Sequence, residues 1–170
     1  MRKFAPAGIL LVLVLALGSC SNSSRGGNFQ LYLTDAPIAG LEKVNITISR
    51  IEVRKEGEES FSEIALAAPV SVDLLQLRDK EYKLADVNIP EGSYAAIRLT
   101  ITEVSVVWNG RTFTLNIDPA YEVTVPVAFD VLADGTIKIV LDFQADQSIR
   151  GDSILGFSMI PVITVKSIGH

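Results

Sequence analysis

From Phe29 onward, apolar residues mostly recur at every second position, and Val, Ile, Thr and Tyr are abundant in the runs that carry them. Period two sends successive side chains to opposite faces of an extended strand, so such runs form sheets with one greasy and one wet side. Sustained helical periodicity is absent. The expected strands cover residues 29–33, 44–54, 60–64, 70–74, 94–108, 112–117, 123–131, 136–143 and 163–168, with a short helix or turn within 74–84.

Two long strands change phase partway. Val44, Ile46 and Ile48 share one parity while Ile51 and Val53 share the other, which predicts a bulge near Ser49-Arg50. The same slip separates Ile97, Leu99 and Ile101 from Val104, Val106 and Trp108, predicting a second bulge near Thr102-Glu103. Asn109-Gly110 suits a two-residue turn that tolerates positive φ at both positions, and it pairs Trp108 with Arg111, Val106 with Phe113 and Val104 with Leu115. A three-residue loop, Ala133-Asp134-Gly135 with the glycine left-handed, is expected to pair Val131 with Ile137, Phe129 with Ile139 and Val127 with Leu141. It would also oppose Asp130 to Lys138.

Many strands with one apolar face each need a second sheet as cover. The expected fold is all-β, a two-sheet antiparallel β-sandwich of about seven to nine strands. With 170 residues, 48% hydrophobic and 21% charged, the chain has the make-up of one globular domain. The formal charge of −5 disfavours a nucleic-acid partner bound through phosphates. A single cysteine, Cys20, and a single histidine, His170, exclude disulfide staples, Cys/His zinc sites and most histidine-based catalysis.

The N-terminus reads as an address. Met1-Arg2-Lys3 is basic, an uncharged apolar run follows from Ile9 to Leu17, and Gly18-Ser19 are small, the layout of a secretory signal peptide. The run falls short of the roughly 18 to 20 residues that span a bilayer. Leu17-Gly18-Ser19-Cys20 resembles the lipobox of bacterial lipoproteins. That resemblance implies cleavage between Ser19 and Cys20, lipidation of the Cys20 thiol, and further acylation of the palmitate type at the new amino terminus. More than one acyl chain is what makes such anchoring stable. The expected organisation is a lipoprotein signal peptide at 1–19, a lipidated Cys20 and flexible tether at 20–27, and one β-sandwich domain at 28–170. Ser21, in place of Asp, favours the outer membrane in a Gram-negative host.

Leu31-Tyr32-Leu33-Thr34-Asp35-Ala36-Pro37 and the run from Val44 to Val53 resemble a bacterial lipoprotein family built on a domain of unknown function (4382). Further matching segments are Val72 to Leu77, Gly92 to Leu99, Leu141-Asp142-Phe143, Ser148-Ile149 and Pro161-Val162-Ile163. The family often has a second acid directly after the D-F pair. Here Gln144 stands there and Asp146 follows two positions later, so a metal role for adjacent acids is not carried over. The turn from Ile89 to Tyr94 is similar to those of transthyretin-like and carboxypeptidase-regulatory-like sandwiches, which implies a transthyretin-like or immunoglobulin-like arrangement and no particular activity.

Several residues are candidates for a site. Asp35 follows a strand and precedes Ala36-Pro37, where an acid either ties down backbone amides or meets a ligand. Asp142 falls on the wetter face of its strand; with Asp146 and Asp152 it offers oxygen ligands for calcium, although no compact calcium loop is present. Trp108 either closes the end of the core or serves as a sugar-stacking platform with Arg111 beside it. Arg150-Gly151-Asp152 matches an integrin-binding tripeptide, which a Gly-Asp turn explains equally well. The chain contains no phosphate-cradling glycine loop, G-x-S-x-G elbow or H-E-x-x-H helix. The function expected is a non-enzymatic, lipid-anchored module of the bacterial cell envelope that binds glycan or an envelope protein, with no cofactor beyond the lipid on Cys20. The alternative is a carboxylate-dependent hydrolase of the glycoside hydrolase type, acting on envelope or extracellular polysaccharide.

Overall fold

The computed structural model describes residues 25–170 except 36, 37, 39, 65, 118 and 153. The expected leader, with Ser19 and Cys20, and the first residues of the expected tether lie outside the described residues. The strands are β1 (Gly26–Asp35), β2 (Lys43–Lys55), β3 (Ser62–Ile64), β4 (Val70–Asp73), β5 (Tyr82–Pro90), β6 (Gly92–Trp108), β7 (Arg111–Leu115), β8 (Tyr121–Val131), β9 (Thr136–Phe143), β10 (Ile149–Asp152), β11 (Gly156–Met159) and β12 (Ile163–Gly169). A 3-10 turn covers Leu74–Leu77, and a single-turn helix, α1, covers Ala145–Ser148.

Two sheets face each other as an all-β sandwich. One runs β12-β9-β1-β5. The other is built on β2 and β6: β2 carries β3 and β4 along its free side, while β6 carries β7 and β8 along the opposite side. Strands β10 and β11 form a separate hairpin. The inner faces meet in one core, where Phe29, Leu31 and Leu33 of β1 and Ile139, Leu141 and Phe143 of β9 are fully buried. Ile46, Ile48, Leu99 and Ile101 supply the opposing wall. Each such side chain contributes about 1.5–3 kcal/mol through burial.

The nine expected strands all form, and the described chain adds β5, β10 and β11. Strand β5 escaped the alternation because it is bulged: Leu31 pairs with Ala85 but Tyr32 pairs with Lys83, leaving Leu84 as the extra residue. Leu84 and Ala85 are therefore both buried in succession. The expected helix or turn over 74–84 shortens to Leu74–Leu77, started by Asp73, whose carboxylate accepts from the Leu75 amide. The sandwich is also not wholly antiparallel, since β1 runs parallel to β9 with Leu31 opposite Ile139.

The bulges fall where the phase slips predict, with Thr47 opposite Glu103, Ile48 opposite Ile101 and Arg50 opposite Thr100. The Asn109-Gly110 hairpin has the expected register throughout, with φ of 47° and 70° at its two turn residues.

The other hairpin does not exist. Strand β8 pairs with β6 and β9 pairs with β1 and β12, so Val131–Ile137, Phe129–Ile139 and Val127–Leu141 are not ladder pairs. The left-handed residue of the connecting turn is Asp134, at φ 58°, rather than Gly135. The turn passes the chain from one sheet to the other, and Phe129 meets Phe29 of the opposing sheet with centroids 5.6 Å apart. Inward parity is the same for strands that lie side by side and strands that face each other, so alternation could not separate the two arrangements. Asp130 and Lys138 take other partners: Ser93 donates to Asp130 at 2.7 Å, and Lys138 pairs with Glu81.

Strand β1 begins three residues earlier than expected. Gly26 and Gly27, assigned to the tether, pair with Pro90 and Ile89. A Cβ on Gly27 would collide with the Leu132 carbonyl oxygen, so this glycine serves close backbone approach and not flexibility.

Candidate functional site

The solvent face of the sheet built on β2 and β6 carries two rows of polar side chains, set out by the strand registers. Asp73, Asn45, Ser105 and Thr114 form one row across β4, β2, β6 and β7. Ser71, Thr47 and Glu103 form the next row across β4, β2 and β6. Alternation dictates this: Ile46, Val72, Val104 and Leu115 turn into the core, so their neighbours turn out. The rows line a groove of about 470 Å³. An adjoining depression of about 390 Å³ shares Glu103 and Thr114 and extends toward Asn116.

The groove's bonding is directional. The Thr47 hydroxyl donates to Glu103 Oε2 at 3.0 Å and lies 2.9 Å from Ser71 Oγ. A threonine hydroxyl has one proton, so with that proton on Glu103 the Ser71 hydroxyl is the donor to Thr47. Asn45 Nδ2 donates to Ser105 Oγ at 3.4 Å. Asp73 Oδ1 accepts from the amides of Val44 and Leu75, both at 3.2 Å. What remains for a ligand is a set of carboxylate acceptors and hydroxyl and amide groups able to donate or accept. Among the described residues no lysine or arginine lines the groove.

A second concavity, a cleft of about 220 Å³, opens where Trp108 ends β6. Trp108 is half-buried there, beside Phe157 of β11, Ile149 and Asp152 of β10, and Ile38 and Leu41 of the chain leading into β2. Trp108 lines this cleft and is neither among the described core residues nor among the partly buried hydrophobics packed against them. Arg111 is its cross-strand partner but does not line the cleft. Asp152 Oδ1 accepts from the amides of Ile154 at 2.7 Å and Leu155 at 2.8 Å. These bonds, that from Leu155 foremost, hold the Asp152 carboxyl below its ordinary range. Gly151, at φ 100°, lets β10 approach β11 so closely that the Arg150-Gly151-Asp152 tripeptide forms part of a hairpin.

The remaining candidates do not join either concavity. Asp35 is buried and its Oδ1 accepts from the Ala145 amide at 3.0 Å, tying the end of β1 to the start of α1. Asp142 lies on the outer side of β9, opposite Thr34 and Thr164, and Asp146 is exposed in α1. Among the described residues no three His, Cys, Asp or Glu side chains converge, so Asp142, Asp146 and Asp152 do not form a shared oxygen cage.

The sequence reading picked Trp108 and Asp152 and missed the rows of the groove. Short polar residues on a strand's outer parity are the ordinary solvent face, and only the pairing of β4 and β7 with the central strands makes them a lattice. Missing Phe157 and Ile149 has a simpler cause, since four-residue strands carry too little alternation to register.

A family model described as "Domain of unknown function (DUF4382)" matches residues 26–161. No curated protein and no solved structure matches the chain.

Proposed function

The chain belongs to the DUF4382 family, and we propose that it is a lipid-anchored, non-catalytic module of the bacterial cell envelope that binds glycan in the groove across β4, β2, β6 and β7. The observation that carries the reading is the pair of cross-strand rows, Asp73-Asn45-Ser105-Thr114 and Ser71-Thr47-Glu103. A sugar presents many hydroxyls that each donate and accept, and the groove offers the complement at strand spacing, about 4.8 Å between neighbours within a row. Asp73 and Glu103 disfavour an anionic ligand, so the glycan is neutral or carries amino groups. The anchor rests on Cys20 and the leader before it, and Ser21 supports the outer membrane.

The test is calorimetry and an array of neutral, amino and acidic glycans. Neutral or amino glycans bind, acidic ones do not, and Glu103→Gln together with Thr114→Val lowers affinity about tenfold, the equivalent of one or two lost hydrogen bonds. Equal binding by the double variant would reject the groove. Cys20→Ser is expected to move the protein from membranes to the soluble fraction, and mass spectrometry of native material to find the thiol lipidated.

One observation favours the alternative: two carboxylates, Asp73 and Glu103, line the same groove, as glycoside hydrolysis requires. Release of reducing ends that Asp73→Asn and Glu103→Gln each abolish would replace binding by hydrolysis.

A further inference from the structure

The cleft at Trp108 has a different chemistry from the groove. Its walls are aromatic and aliphatic, from Trp108, Phe157, Ile149, Ile38 and Leu41, and among the described residues its one charged lining residue is Asp152. We propose that this cleft is a second binding site, for an ammonium group carried on an apolar stem. The proposal goes beyond the glycan groove and shares no residue with it.

Three features support it. A positive charge over the face of an indole is attracted by the ring's quadrupole, and tryptophan is the best of the aromatic residues for this. Asp152 uses Oδ1 for the Ile154 and Leu155 amides, and no described side chain donates to its Oδ2, which leaves an anionic acceptor for the cation. The two amide bonds keep that carboxylate ionised and fix its direction. An anion would be repelled by that exposed charge, and a neutral apolar ligand would gain nothing from it. A volume of about 220 Å³ accommodates a ring and a short amine.

The chain has one tryptophan, so Trp108 fluorescence reports the cleft directly in the full protein. The probes are phenethylammonium, a primary amine, phenyltrimethylammonium, a quaternary one, and the neutral 2-phenylethanol. At least one cation is expected to quench or shift the emission saturably while the alcohol binds about tenfold more weakly. Asp152→Asn keeps an oxygen for the two amides, so the hairpin stays folded, and it is expected to lower cation affinity to that of the alcohol. Phenyl-ring binding that ignores charge, undiminished cation binding in Asp152→Asn, or no saturable response to either cation would each overturn the proposal. Glu103→Gln leaves cation binding unchanged, which separates this site from the groove.

Discussion

Asp35 accepts a 3.0 Å hydrogen bond from the backbone amide of Ala145, a residue 110 positions further along the chain. Both residues are buried, so the bond closes the end of β1 against α1 away from water. Replacing Asp35 with alanine strips a buried amide of its acceptor, and the expected loss is about 1–3 kcal/mol. Asp35→Asn keeps an acceptor oxygen and loses less. Urea unfolding of the two variants checks the order; an unchanged midpoint for Asp35→Ala would show that the bond contributes nothing.

Glu52 and Arg98 form a bidentate pair, with Nε and Nη2 each 2.8 Å from a carboxylate oxygen, and the guanidinium stacks on Phe61 at 4.1 Å. The hydrogen bonds from Arg98 lower the Glu52 carboxyl; its burial opposes this, and the charges of Arg98 and Arg50 add to the lowering. A carboxyl depressed in the folded state stabilises the fold above its unfolded value, near 4.5, and that stability is lost as the pH falls through the folded value. The wild-type unfolding midpoint is thus expected to drop below about pH 4.5 more steeply than that of Glu52→Gln. Arg98→Met at neutral pH leaves a nearly buried carboxylate without its partner and costs about 2–3 kcal/mol, near the low end for such pairs because Arg98 is partly in water. Parallel pH profiles for wild type and Glu52→Gln would contradict the assignment.

Two glycines at hairpins have positive φ but different surroundings. Gly110, at 70°, has open space where a Cβ would sit, whereas a Cβ on Gly151, at 100°, would run into the Gly156 carbonyl oxygen. Gly110→Ala is expected to cost about 1 kcal/mol from backbone strain alone. Gly151→Ala forces β10 and β11 apart, which hydrogen exchange reports as lost amide protection over residues 149–159 and which removes the wall beside Trp108. Protection equal to wild type in Gly151→Ala would rule this out.

Local pattern made much of the sandwich legible. The slip between Ile48 and Ile51 located a bulge, and Asn109-Gly110 set the register of three cross-strand pairs, because each depends on neighbours within a few residues. Gly26-Gly27 shows where such reading ends. Glycine has the same composition in a loose tether and in a strand that must approach another backbone, and only the Leu132 carbonyl decides between them.

By itself the sequence determined which side chains face inward, and with that the two-layer, all-β class, since sidedness is a property of one strand. The tertiary structure alone decided which strands are neighbours. It sent β8 and β9 to different sheets, set β1 parallel to β9, and lined up the polar rungs of the groove and the walls of the Trp108 cleft. The physical reason is that every extended backbone offers the same amides and carbonyls, so a partner is chosen by how distant apolar faces pack together, a sum over the whole molecule that no short stretch contains.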